Sequence, residues 1–453
     1  MQRITIYDFL LLPIYLALFY ILVKRRSMRF DDPELRKIFL AAFGFRMLGS
    51  VMYSLILQYY YGYGDSFTYY EGGTFLINQV LDNVANIKYL FYPASELQRI
   101  YSGIEGSVGG VNGYIASDSS AAVMKVSAAV SIASFNKFMI TSLFFGLFSF
   151  AGQWKLFQVF NDITGKKHQK LLGFAVLYTP AIWFWGSGLL KEAICLGGVG
   201  FILSTLYNSI IKKRINRWDW VLSLFLIYMV YMIKSYIIVI LAVSLFFTSL
   251  FVVFQRIRIV LLRLILVALM LIILFFSLSL SNFSEQINDL TEESVTQIET
   301  FQKSYEAANN YDDRSQAGIE VANINYTFTG ILAKSPSIIF SCLFRPFIWE
   351  SKKIIILFSS FESTLLLLST LFLLYKTRFF GIFRIIFTQP FIFFSFLVSL
   401  FFATIIGFTT FNFGTMIRYK MMLLPFYYFM LVNIYLVVTS RKKNETPDAI
   451  QAS

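Results

Sequence analysis

The residues of this chain that could do chemistry stand at the ends of apolar runs: Asp65, Lys191, Glu192, Lys234, Arg345, Glu350 and Arg418. A charge held at the edge of hydrocarbon is costly and tends to be kept for a function. Asp65 follows a bend-prone, aromatic stretch, Tyr61-Gly62-Tyr63-Gly64-Asp65, and precedes Tyr69, Tyr70 and Glu71. Glycines there let the backbone turn off the end of a span, which aims Asp65 back at the membrane surface among tyrosines that favour that depth. A carboxylate in such a partly dry setting can act as a general base or hold a cation; the alternative role for Asp65 is a helix cap. Glu71 is a weaker candidate in the same loop.

Further groups are cationic or paired. Lys191 and Glu192 open an apolar run, and neighbours on a helix do not face each other, so the two address different partners. A Lys at a helix N-terminus suits a phosphate, and a capped helix start with two surface charges is the plain alternative. Arg345, in the apolar piece that leads to Pro346, Trp349 and Glu350, needs an anion or a carboxylate. Phosphate, Glu350 and Asp65 all satisfy that need. Arg418, Tyr419 and Lys420 precede Pro425, and Lys234 lies between two apolar runs with almost no loop. One carboxylate facing several cations beside a membrane fits a lipid-linked phosphate or diphosphate leaving group, with the carboxylate deprotonating an acceptor hydroxyl. It fits ion transport less well, because Arg46 and Glu362 are among the few charges inside apolar runs.

The elements that must hold these groups are apolar helices. A hydrophobic fraction of 57% with only 14% charged residues over 453 positions, and a mean hydropathy of +0.65, exclude an ordinary soluble domain. Runs such as 264–280 and 385–408 are apolar nearly all round, which predicts spanning helices and not the alternation of a β-barrel. The fold expected is all-α: a single polytopic membrane domain, 1–453. The formal charge of +13 is concentrated in short clusters beside the runs, as membrane orientation requires, so no nucleic-acid partner is expected. His168, the one histidine, sits in a basic loop, and Cys195 and Cys342 lie in apolar surroundings. Neither histidine catalysis, a disulfide framework nor a cysteine metal site is called for. No cleavable signal peptide is expected, since the first run, 6–23, is long enough to remain as a span.

Basic clusters at 24–37, 166–170, 212–217, 256–263, 376–384 and 441–443 mark the cytoplasmic side. Between them fit about 11 spans, near 6–23, 38–60, 136–158, 171–185, 189–210, 219–233, 236–254, 264–281, 355–375, 385–409 and 421–439. The N-terminus is then outside and the C-terminus inside. Two long extracytoplasmic loops follow, 61–135 and an acidic one, 282–335, of a length that is usually functional or disordered. The piece from Ser337 to Trp349 is too short to span and is expected as a re-entrant or interfacial helix. Pro180 should end the fourth span early and sink the Trp185–Glu192 turn toward the membrane. Lys352, Lys353, Arg418 and Lys420 lie outside, against the positive-inside bias.

With Gly64-Asp65 before Tyr69-Tyr70, the outer Lys191-Glu192 and the late Arg418-Tyr419 before Pro425, the chain resembles the GT-C class of membrane glycosyltransferases, and also the Wzy and EpsG type polysaccharide polymerases. The resemblance implies transfer of a sugar from a polyprenyl-phosphate or diphosphate donor to a glycan, lipid or protein acceptor at the extracytoplasmic face of a bacterial inner membrane. It places the role of base or metal ligand on Asp65. The other groups, Tyr69, Glu71, Lys191, Glu192, Lys234, Arg345, Glu350, Arg418 and Tyr419, are the expected substrate-binding set, with membrane lipids as the remaining partners. Loop 61–135 has no Asp-Asp or Asp-X-Asp pair, so no metal or other cofactor is expected. A lipid-linked glycan flippase or transporter is the alternative of another class; it would place charges near the bilayer midplane and commonly carry inverted repeats, of which the sequence shows none. A structural or assembly subunit is a third.

Overall fold

The computed structural model describes residues 3–103, 109–257, 328–351, 354–410 and 413–444. The expected span 264–281, nearly all of the acidic loop 282–335, and Lys352 and Lys353 lie outside the described residues. Every regular element among the described residues is helical. The chain forms two compact units, Met1–Val239 and Ile240–Ser453.

In the first unit, α1 (Ile6–Ser27) buries the stripe Tyr15, Phe19, Val23 and leaves Ile14, Leu18 and Leu22 exposed on another side. A helix apolar on its free face as well as its packed face belongs in lipid. Its N-terminus is tied down by Asp8, which is fully buried and accepts from Thr5 N at 2.8 Å, Thr5 Oγ1 at 2.9 Å and Met139 N at 3.0 Å. One carboxylate thus satisfies the first turns of two helices, where orphan amides and the positive dipole end favour a negative charge. Asp32 caps α2 (Pro33–Ile56), accepting from Glu34 N at 2.8 Å ahead of Pro33 in the first turn. A single π turn, Leu57–Tyr61, ends α2. Gly62 at φ 73° and Gly64 at φ 150° then redirect the chain into α3 (Asp65–Asp82), conformations that a side chain disfavours.

The described residues of the expected loop 61–135 are largely helical: α3, a 3-10 segment Val84–Phe91, α4 (Ala94–Ser102), α5 (Gly109–Ile115) and α6 (Asp118–Ser134). Small residues make this possible. A Cβ on Gly72 would fall 2.4 Å from Met124 Sδ and one on Gly73 would fall 2.6 Å from Ser127 Oγ, so α3 and α6 are held at backbone contact. After Phe135 and Asn136, both at positive φ, the chain bends by 110° into α7 (Phe138–Ile163). Then come α8 (Gln169–Leu177), α9 (Pro180–Trp185) and α10 (Lys191–Ile210). α7 and α10 cross at their glycines: a Cβ on Gly200 would lie 1.8 Å from Gly152 O, and one on Gly152 would lie 2.0 Å from Gly197 O. Such small-residue crossings are how helices associate without a hydrophobic drive. α11 (Arg217–Arg256) is interrupted at Lys234, whose φ −150°, ψ 83° is extended and not helical.

The second unit contains α12 (Phe328–Phe344), a 3-10 turn Ile348–Glu350, α13 (Ile354–Lys376), α14 (Phe380–Ile386), α15 (Pro390–Thr409), α16 (Phe413–Lys420) and α17 (Leu424–Asn444). α12 begins well before the short helix expected from Ser337, and it lies on α15, where a Cβ on Gly407 would meet Ile338 Cγ2 at 2.4 Å. α16 and α17 form a pair bent by 62°.

Among the described residues six helices are long and apolar enough to cross a membrane, eight if each bent pair is one span. The chain is a multi-pass helical membrane protein. The difference from eleven has definite sources. The expected span 171–185 is two short helices split before Pro180, and 264–281 is not described. The expected spans 219–233 and 236–254 are the two helical arms of α11 on either side of Lys234, which count as one among the six. Within the expected span 385–409, a further break falls ahead of Pro390.

Candidate functional site

In the first unit, Asp65, Tyr69, Lys191, Glu192 and Lys234 come together. Asp65 is the first residue of α3, half-buried, and its Oδ1 accepts from the hydroxyl of Tyr114 on α5 at 2.7 Å. The Tyr114 ring meets Tyr69 edge-to-face at 5.7 Å between centroids. Tyr69 is one turn along α3 from Asp65 and almost fully buried. On this ring, 5.8 Å from its centroid, sits the Lys191 ammonium, which also donates to Ser119 Oγ at 2.8 Å. A carboxylate and an ammonium thus address one pair of tyrosines from opposite chain segments. Lys191 is the first residue of α10, so its charge and the amide end of that helix attract an anion to the same place.

One residue further, Glu192 is fully buried and takes the Lys234 ammonium at 2.8 Å from the break in α11. As adjacent helical residues, Lys191 and Glu192 point to different partners, as the sequence suggests. A buried pair of this kind gains its Coulomb energy against a large desolvation cost, so it is better evidence of a fixed register than of added stability.

Two residues on α2 fix the turn that carries Lys191. Arg46, buried, donates to Ile182 O at 2.7 Å and Ser187 Oγ at 3.2 Å, and also to Gln153 Oε1. Tyr53, also buried, faces Gly188 so closely that a Cβ there would lie 2.2 Å from its ring. The Tyr53 hydroxyl shares a hydrogen bond with Ser66 Oγ at 2.7 Å, next to Asp65. Tyr53 is therefore a strut between the segments bearing Asp65 and Lys191. Sequence reasoning singles out Arg46 as a charge inside a span but not its partners, and it misses Tyr53, Tyr114 and Ser119, which are ordinary residues for a span or a loop.

Glu71 is engaged elsewhere: Arg3 NH2 lies 2.8 Å from its Oε1, Arg3 Nε donates to it at 2.9 Å, and the Arg3 guanidinium stands 4.7 Å over the Phe67 ring. It anchors the N-terminal segment to α3.

In the second unit, Arg345 and Glu350 form a forked ion pair, with Nε at 2.9 and 3.2 Å from the two carboxylate oxygens and NH2 also on Oε1. This is one of the alternatives the sequence leaves open for Arg345. Glu350 Oε2 accepts in addition from Phe347 N at 2.7 Å, and the Arg345 guanidinium lies 5.2 Å over Phe413. Lys420, buried, donates to Ser363 Oγ at 2.9 Å and Arg345 O at 3.4 Å, so α16 is pinned to the Arg345 turn and α13. The Arg418 guanidinium stands 6.0 Å from the Tyr419 ring.

Among the described residues no three His, Cys, Asp or Glu side chains gather as a metal site would require. No family model, curated protein or solved structure matches this chain.

Proposed function

We propose that this protein is a membrane glycosyltransferase of GT-C-like chemistry, moving a sugar from a polyprenyl-phosphate or diphosphate donor to a hydroxyl of a glycan, lipid or protein acceptor at the extracytoplasmic face of the membrane. The observation that carries the proposal is the meeting of Asp65 and Lys191 at the Tyr69–Tyr114 pair. In the step envisaged, Asp65 takes the proton of the acceptor hydroxyl as its oxygen bonds to the anomeric carbon. The bond from that carbon to the phosphate oxygen breaks, and the phosphate leaves with the electron pair toward Lys191. The half-buried Tyr114 ring can take the apolar C–H face of the sugar, while the buried Tyr69 ring seats the Lys191 ammonium. Tyr114, donating to Asp65, orients the carboxylate. Glu192 and Lys234 hold the α10 end in register and Glu71 supports α3; Arg345, Glu350, Arg418 and Tyr419, in the second unit, are assigned no part in this step. A repeat-unit polymerase would use the same chemistry with a growing glycan as acceptor.

The donor-binding half of this scheme is tested apart from turnover. Native mass spectrometry of the purified protein with a polyprenyl monophosphate should show binding that Lys191→Ala weakens by about 1.5 to 3 kcal/mol, the worth of a hydrogen bond to a charged group. Lys191→Arg should retain most of it. Equal binding by all three proteins would remove Lys191 from the phosphate site.

A lipid-linked glycan flippase is the second reading, favoured by one feature: the buried Glu192–Lys234 pair lies at a break in a candidate span. Transbilayer movement of a fluorescent polyprenyl-phosphate sugar in proteoliposomes, with no glycosidic bond formed, would select it.

A further inference from the structure

The 3-10 segment Val84–Phe91 carries no buried residue. A run of apolar side chains is exposed on and beside it: Leu81 at 73%, Val84 at 73%, Ile87 at 51% and Phe91 at 83%. At about three residues per turn, Val84 and Ile87 fall in one row, with Leu81 before and Phe91 after. In water so continuous a patch would be a liability. The charges close to it are Asp82 before and Lys88 within, one of each sign, so headgroup charge would not draw it to a surface.

Its depth follows from how it is tied to the spans. Lys125 Nζ, on α6, donates to Tyr92 O at 2.6 Å, which fixes the end of the segment to the middle of that helix. The bend between α6 and α7 is 110°. With α7 along the membrane normal, α6 lies about 20° off the membrane plane, and its first residue is the end nearer the hydrocarbon. At about 1.5 Å per residue, Lys125 is then about 5 Å deeper than the start of α7. Apolar faces of interfacial helices sit about 5–10 Å into the boundary between headgroups and acyl chains. Tyr89 and Tyr92 accompany the patch and are residues that favour this depth.

We propose that Val84–Phe91 is a membrane-seated element whose partner is the lipid bilayer itself, with Val84, Ile87 and Phe91 inserted among acyl chains by apolar burial. It holds the free side of the α3–α6 layer to the membrane. The test is nitroxide accessibility in the full chain, reconstituted in phosphatidylcholine nanodiscs, with Cys195 and Cys342 replaced by Ala. Single cysteines replace Phe91, Val84 or Ile87, with exposed Glu96 as the aqueous reference and Leu18, on the free face of α1, as the hydrocarbon reference. Oxygen should relax the label at Phe91→Cys and Val84→Cys several-fold more effectively than a water-soluble nickel chelate does, as at Leu18→Cys, and 1 M salt should leave the ratio unchanged. A ratio matching Glu96→Cys would overturn the proposal by placing the segment in water. Shielding from both reagents would overturn it in favour of a second copy or another protein. Because the patch side chains are exposed, these variants are expected to fold, and Ile87→Cys provides a third position on the same face.

Discussion

Glu192 and Lys234 show how a charged pair reads differently in a sequence and in a fold. Each is visible as a charge at the end of an apolar run, and their mutual distance of 2.8 Å is not, because 42 residues separate them. Asp65 and Lys191 are legible for the same reason, as polar groups that apolar surroundings make conspicuous. Tyr53, Tyr114 and Ser119, which position them, are not legible, since a tyrosine or serine in a membrane protein carries no such cost and so no such signal. Removing one member of the buried pair leaves the other uncompensated. Glu192→Gln and Lys234→Met should each lower stability by about 3–5 kcal/mol, while the Glu192→Leu/Lys234→Met double variant should lose far less than the sum. Thermal unfolding in detergent measures this, and losses that simply add would show that the two side chains do not act as a pair. Tyr53→Phe keeps the ring that Gly188 packs on and removes the bond to buried Ser66, so it should still insert, unfold with a loss of about 1–3 kcal/mol and lower transfer activity.

At the scale of elements, hydropathy delimits the long helices well. α1, α2, α7, α10, α13 and α17 fall where apolar runs predict spans, because a continuous apolar stretch has few other stable forms in lipid. The helices within 61–135 are illegible in composition: Gly, Ser and Ala read as loop, yet the same small residues let α3 and α6 approach to backbone contact. The α7–α10 crossing depends on the same device, and there the contact is backbone to backbone. Gly200→Leu should therefore separate the helices and cost several kcal/mol, and Gly200→Ala should cost less but still be measurable by thermal unfolding, because the atom it meets is a carbonyl oxygen that cannot swing aside. Native stability in Gly200→Leu would contradict the crossing. The cap of α2 has a pH signature. The hydrogen bond from Gln169, with that from Glu34 N, holds the Asp32 carboxyl below its ordinary value of 3.8. Its contribution is thus present above that value and lost as pH falls through the lowered one. The difference in melting temperature between the native chain and Asp32→Ala should be constant at neutral pH and shrink only below about pH 4.

For the whole molecule, the proposed extracytoplasmic placement of the Asp65–Lys191 site is an expectation from the positive-inside bias of the loops. Ser95 is exposed on α4, within 61–135. In a background lacking Cys195 and Cys342, a cysteine at Ser95 should react with an impermeant maleimide in intact cells; labelling only after permeabilisation would put the site on the cytoplasmic side. Turnover then discriminates between a base and a helix cap. With the purified protein in nanodiscs and a polyprenyl-phosphate-linked radiolabelled sugar as donor, the decisive comparison is the transfer rate of Asp65→Asn against the native chain. Asn keeps the size and the partner of Tyr114 but cannot accept the acceptor's proton. The rate should fall by roughly 10²-fold or more with polyprenyl-phosphate binding intact, while Glu71→Gln, which loosens only the Arg3 anchor, stays near the native rate. A native transfer rate in Asp65→Asn would contradict the assignment of Asp65 as the base.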